Sequence, residues 1–207
     1  MGDTFKMDLI QMSAVHEMAN IGLGHAMTSL ATMTGHTFNM AIPNVDSVPV
    51  ATITELVGGS EELTVGVLMP FEGETEGHTA FLFPWESAQG IWKMLLGAAP
   101  ETPEVIDELH ASVMLEIGNI LNSSFLNAIS DMTQLKMHAT PPVVSVDMAI
   151  SVVSSIVCTA EEHESIALAV ETSIYDEDSE VKGYFLCIPT IETLKRLFER
   201  LGIAEAA

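Results

Sequence analysis

The sequence predicts an α+β fold, an antiparallel sheet covered by long helices and built as a pseudo-two-fold duplicated α-β-β-β-α unit. Three observations carry that reading. The chain has 207 residues, 48% of them hydrophobic, enough to bury a proper core. Short alternating or β-branched runs stand at hairpin spacing between longer helical ones. Above all, the chain is one unit written twice. Ser13, Glu17 and Asn20 recur as Ser112, Glu116 and Asn119, each 99 residues on, and Pro43 and Val45 recur as Pro142 and Val144 at the same offset. Val65, Pro84 and Gly97 match Val170, Pro189 and Gly202 at an offset of 105. The extra six residues fall near the polar run CTAEEHES, which reads as a surface loop.

Residues 7–34 are free of proline and carry spaced apolar positions, so they read as a long helix with Gly22 and Gly24 as weak points. IPNVDSVPVATI alternates and is β-branched, and its prolines place it at a sheet edge or a strand start. ELTVGVLMPF and GHTAFLFP are two strands joined by the hairpin EGETE. PWESAQGIWKMLLG is an amphipathic helix that opens at Pro84 and ends at Gly97. After the proline-rich joint AAPETPE the pattern repeats: a helix over about 104–134, then PPVVSVDMAISVV, the strands IALAVETSIY and VKGYFLCIP, and the closing helix PTIETLKRLFERLG. Units this small are more stable sharing one sheet or core than folding apart. The chain therefore reads as a single domain, 1–207, of two repeats at about 7–98 and 104–203.

Charge excludes several functions. With 29 acidic residues against 7 Lys and Arg, the net charge is −22, a field that repels phosphate backbones and anionic lipid. Nucleic acid is not an expected partner. The N-terminus, MGDTFKMDLI, lacks the basic start and apolar run of a signal peptide. Mean hydropathy is positive, +0.34, yet no stretch of about 18 apolar residues escapes polar interruption, so membrane insertion is not expected. Cys158 and Cys187 sit in apolar stretches without metal-ligand spacing and read as buried thiols of a reducing cytoplasm. The seven histidines are dispersed, so no metal site is expected.

Chemistry concentrates in the repeated Ser, Glu and Asn. At i, i+4 and i+7 they lie along one stripe of a helix, within about 60° of one another. Glu and Asn, one turn apart, can engage the same partner. The stripe holds no nucleophile paired with a base and too few ligands for a metal. It offers an amide that can hydrogen-bond a water and a carboxylate that can pair with a cation. A solvated helix face has no need of the same residues in both copies, and most other surface positions differ between the halves.

The segments SAVHEMAN and SVMLEIGN resemble the S-x-x-x-E-x-x-N signature of the CheC-type chemotaxis phosphatases, the family of CheC, CheX and the phosphatase part of the flagellar switch protein FliY. The resemblance runs over about residues 7–203 and takes in the IPNV segment, PP-x-x-x-x-D-M and LFERLGI. Two complete motifs in a short chain favour the CheC branch. The resemblance implies an enzyme, a phosphoprotein phosphatase that removes the aspartyl phosphate of the response regulator CheY. Asn20 and Asn119 would position the attacking water, and Glu17 and Glu116 would pair with the regulator's active-site Lys. Ser13 and Ser112 would be supporting at most. Any Mg²⁺ would belong to the regulator, leaving this chain without a cofactor of its own.

The resemblance also implies that Asp147 helps bind CheD, a receptor deamidase. Read by itself, Asp147 is as readily a helix N-cap. Ala19 and Gly118 keep a small residue inside each motif, which would let a partner's backbone approach. The competing readings are a non-catalytic binding module for CheD or phosphorylated CheY, or a structural subunit of a flagellar switch.

Overall fold

The computed structural model describes residues 7–34, 39–157, 166–175 and 180–203. In chain order these form α1 (Leu9–Thr34), β1 (Asn39–Pro49), α2 (Ile53–Leu56), β2 (Leu63–Gly73), β3 (Gly77–Pro84), α3 (Trp85–Leu96), α4 (Glu108–Thr133), β4 (Met137–Ala139), β5 (Val143–Met148), α5 (Ala149–Val157), β6 (Ile166–Tyr175), β7 (Glu180–Pro189) and α6 (Ile191–Arg200). The run CTAEEHES and Cys158 lie outside the described residues.

Local signals set the ends of the two long helices. Asp8 Oδ1 accepts from the backbone N–H groups of Ile10 and Gln11, both at 2.8 Å, while Gln11 Oε1 accepts from Asp8 N at 2.9 Å. Asp107, 99 residues on, caps α4 in the same way through His110 N at 3.0 Å. Each cap satisfies donors the helix leaves open and is worth about 1 kcal/mol. The cap also explains why α4 starts at Glu108 rather than near 104, where Pro103–Val105 form a 3₁₀ turn instead. α1 runs unbroken through Gly22 and Gly24.

Among the described residues seven strands form one antiparallel sheet in the order β1-β6-β7-β3-β2-β4, with β5 also paired to β2. The halves meet at β3 and β7, where Phe81 stands opposite Phe185. Outward from that seam the halves exchange strands: β1 of the first pairs with β6 of the second, and β4 and β5 of the second pair with β2 of the first. The prolines of IPNVDSVP sit on an edge strand, as their missing donors require. On the other edge the lane is split between β4 and β5, with Pro141 and Pro142 in the gap.

The sheet is buried on both faces, and side-chain alternation assigns the layers. Phe81, Phe83, Leu168, Val170, Phe185 and Cys187 point into one core with α1, α3, α4 and α6. Ala80, Leu82, Ala167, Ala169, Leu186 and Ile188 point into a second, smaller core under α2 and α5. Burial pushes the Cys187 thiol up to about 12. Trp85 and Trp92 share a face as their spacing predicts, rings 5.7 Å apart edge to face, and Trp92 Nε1 donates to His110 O at 2.9 Å.

The repeat unit thus gains a short helix between its first and second strands. α5 falls in a β-branched stretch, AISVVSSIV, whose local preference is extended. Tertiary context overrides it. The first N–H groups of α5, at Ala149 and Ile150, donate to Glu62 O at 2.8 Å and Ser60 O at 3.0 Å. Val152 packs over Gly66, where a Cβ would come within 2.3 Å of it.

Because β3 and β7 are antiparallel and α1 and α4 lie on the same face, the two-fold relating the halves runs normal to the sheet. It therefore sets α1 and α4 in opposite directions. They cross closely at Gly22, where a Cβ would lie 2.7 Å from the Phe125 Cα. Gly24 is exposed, with nothing within 4 Å of its Cβ position. Opposite outcomes follow from these two glycines. Gly24→Ala should stabilise by about 0.5–1 kcal/mol, the helical advantage of alanine. Gly22→Ala should instead cost about 1–3 kcal/mol by forcing the helices apart. Thermal or urea unfolding reads both, and stabilisation by Gly22→Ala would contradict the crossing.

Candidate functional site

The stripes foreseen on the two long helices point away from the core. On α1, Ser13, Glu17 and Asn20 are exposed, while Val15, Met18, Ala19 and Leu23 between and beyond them are buried. On α4, Ser112 and Glu116 are exposed and Asn119 is half-buried, while Met114, Ile117, Gly118 and Leu121 are buried. Among the described residues no hydrogen bond or ion pair reaches the carboxylate of Glu17 or Glu116. Each motif therefore presents an unpaired carboxylate and an amide one turn apart on a solvent-facing ridge. Both lie in the N-terminal half of their helix, so the antiparallel pairing puts them on opposite sides of the crossing, on the order of 10–20 Å apart along the pair.

The small residues inside the motifs have a different job from the one expected of them. Ala19 is fully buried, and a Cβ on Gly118 would come within 2.4 Å of Val67 Cγ1 on β2. They let the helices settle on the sheet and are not available to a partner's backbone. This is a packing role that periodicity allows but does not announce.

Two features near the motifs escaped the sequence reading. His16, exposed and one turn before Asn20, places Nδ1 2.8 Å from Asn20 Nδ2. The signal was the i, i+4 spacing, available in the sequence but shared by many non-interacting pairs. One turn before each serine stands an exposed apolar residue, Ile10 at 66% and Leu109 at 57%, at matched positions of the repeat. The repeat thus sets an exposed apolar side chain at the start of each polar stripe.

Asp147 lies elsewhere, on the edge strand β5, exposed. It is not the cap of α5. That helix starts at Ala149, its leading donors go to Glu62 O and Ser60 O, and the Asp147 carboxylate accepts from Met148 N at 2.7 Å. Val143, Met148 and Ile150 on the same segment are exposed apolar residues, at 60%, 47% and 48%. No group of three or more His, Cys, Asp or Glu side chains placed to hold a metal occurs among the described residues. Nor is any helix among them long and apolar enough to cross a membrane.

A duplicated α+β protein with one Glu/Asn ridge on each of two crossed helices defines a narrow class. The profile of the CheC-like family matches residues 10–46 and 109–146, the two segments that contain the motifs. The chain is 29% identical over 196 residues to the CheY-P phosphatase CheC of Bacillus subtilis, covering 93% of this chain and 94% of that one. Among solved structures, FliY of Thermotoga maritima superposes with a TM-score of 0.76 at 18% identity, covering 96% of this chain and 98% of that one. The FliM middle domain of Helicobacter pylori does so at 0.69 and 10% identity, covering 94% and 99%. The likeness to the CheC-like family is thus carried by matching segments in both repeats.

The ridge residues stand outside the packing, so they should be removable without unfolding the protein. Alanine at Glu17, Asn20 or Glu116 is expected to change stability by no more than about 0.5 kcal/mol, as for surface positions generally. Gly118→Val, which drives two methyls toward Val67, should cost about 1–3 kcal/mol. Chemical denaturation distinguishes the two groups, and a tolerated Gly118→Val would contradict the packing role.

Proposed function

We propose that this protein hydrolyses the aspartyl phosphate of a CheY-type response regulator at two sites, one on α1 and one on α4. The observation that carries the reading is the pair of exposed Glu/Asn ridges at matched positions, each with an unpaired carboxylate. A duplicated ridge of this kind suits a substrate that brings its own electrophile and lacks only a positioned water and an anchor. The Bacillus subtilis relative, named a CheY-P phosphatase, supports the same reading.

In this mechanism the ridge docks against the regulator's phosphorylation pocket. Glu17 or Glu116 pairs with the pocket's lysine, a charge-assisted contact shielded from solvent once the proteins meet. Asn20 or Asn119 enters beside the phosphoryl group and aligns a water in line with the P–O bond. The water oxygen bonds to phosphorus as the bond to the aspartyl oxygen breaks. A carboxylate and inorganic phosphate are released, the water's proton passing to the phosphate or to solvent. The regulator's Mg²⁺ neutralises charge on the phosphoryl oxygens as part of the substrate. This chain contributes position and electrostatics, which suffice for phosphoryl transfer. Ser13 and Ser112 frame the ridge, and Ile10 and Leu109 extend it as apolar contacts for the same regulator. Such a substrate places the protein in the cytoplasm.

A second reading, a non-catalytic switch subunit, draws on the fold shared with FliY and FliM. An amide and an unpaired carboxylate kept on both copies favour hydrolysis, since a structural surface has no use for a water-orienting group. Decay of phosphorylated CheY with Mg²⁺ present separates the two. The protein should accelerate decay, Asn20→Ala and Asn119→Ala should each retain part of the activity, and the double variant should lose it, by about 100-fold or more as for other water-positioning groups. No acceleration by the unsubstituted protein would leave a binding module.

CheD is proposed as a second partner, docking on the β5 edge around Asp147. The carboxylate there is spared from capping α5, and exposed apolar side chains stand on the same segment. Asp147→Lys is expected to abolish CheD co-purification while leaving CheY-phosphate hydrolysis intact. Retained CheD binding would refute the assignment.

A further inference from the structure

The two ridges differ in what holds their asparagines. On α1, Asn20 Nδ2 lies 2.8 Å from His16 Nδ1. An amide NH₂ only donates, so in this arrangement Nδ1 accepts. The other end of the amide, Asn20 Oδ1, has no partner among the described residues and belongs to an exposed side chain. On α4 the position of His16 is taken by Leu115. There Ser123 Oγ lies 3.5 Å from Asn119 Oδ1, at the outer limit of a hydrogen bond and at the opposite end of the amide. The first copy has Gly24 in place of Ser123 and so no hydroxyl to compete for the carbonyl.

The end of the amide that is left free matters chemically. A water that attacks phosphorus turns a lone pair toward it and a proton toward an acceptor. The carbonyl oxygen of an amide can take that proton, and its NH₂ cannot. An unheld asparagine on a helix surface divides its time among rotamers and between two amide orientations, and only a fraction present the carbonyl outward. Holding the nitrogen from one turn away removes that dilution before the partner arrives.

We propose, on the basis of the phosphatase reading above, that His16 is a positioning residue of the first site: by accepting from Asn20 Nδ2 it keeps the carbonyl oxygen outward for the attacking water. The second site lacks this constraint, and its carbonyl is partly engaged by Ser123. The two sites are therefore chemically unequal despite their shared motif, and His16 acts on turnover, since it holds the reacting geometry without adding to the docking contact.

The test isolates each site in the full chain. Phosphate release from CheY phosphorylated with acetyl phosphate and Mg²⁺ is followed in Asn119→Ala, which leaves the first site, and in Asn20→Ala, which leaves the second. In the Asn119→Ala protein, His16→Leu, which copies the second site, should lower kcat about three- to tenfold with KM little changed, the scale of one lost side-chain hydrogen bond. His16→Asn, which keeps an acceptor near the place of Nδ1, should restore most of that loss. The effect should be confined to the Asn119→Ala protein. An unchanged kcat there, or an equal loss in both single-site proteins, would overturn the inference while leaving the phosphatase reading standing. No phosphate release even with the unsubstituted protein would overturn that reading and this inference together.

Discussion

The pairing of β3 with β7 is the interaction on which the rest of the molecule depends. At that seam Phe81 lies opposite Phe185 with ring centroids 4.9 Å apart; Phe83 stacks on Phe81 at 5.8 Å, and Phe125 of α4 meets Phe185 edge to face at 4.5 Å. The aromatic cluster fixes the register between the halves, because a one-residue slip would turn every side chain of β7 to the other face of a sheet buried on both sides. Once the register is set, the two-fold is set, and with it the antiparallel crossing of α1 and α4. The strand exchange at the sheet edges then makes each half depend on the other, since β1 and the β4–β5 lane find their partners across the repeat boundary.

This arrangement accounts for where chemistry is possible. The inner faces of α1 and α4 are committed to packing, down to Ala19 and Gly118, whose small size lets the helices seat. Their outer faces carry no structural duty, so a carboxylate can stand there unpaired, beside an amide held only by a neighbour on its own helix. A rigid helix presents them at a fixed spacing, which is the property a water-positioning site requires. Asp147 sits on a different surface, a sheet edge.

The duplication made much of this legible. Matching residues at constant offset implied a two-fold, and the motif stripes followed from helical periodicity, as did the edge position of β1 from its prolines. Other features needed the structure. α5 was hidden because AISVVSSIV favours an extended chain locally, and only the carbonyls of Ser60 and Glu62 and the notch at Gly66 make a helix the better choice. That Asp147 does not cap α5 turned on those same two carbonyls, which are far from it in sequence.

The sequence by itself determined the class of fold, the repeat and the residues available for chemistry, because those depend on composition and on periodicities that each segment carries alone. Only the tertiary structure decided that the halves exchange strands, that the motifs' small residues serve packing, and that His16 reaches Asn20 where Leu115 leaves Asn119 to Ser123. These depend on which groups meet across long separations or on one choice among several rotamers. Such choices are settled by packing and hydrogen-bond satisfaction over the whole chain.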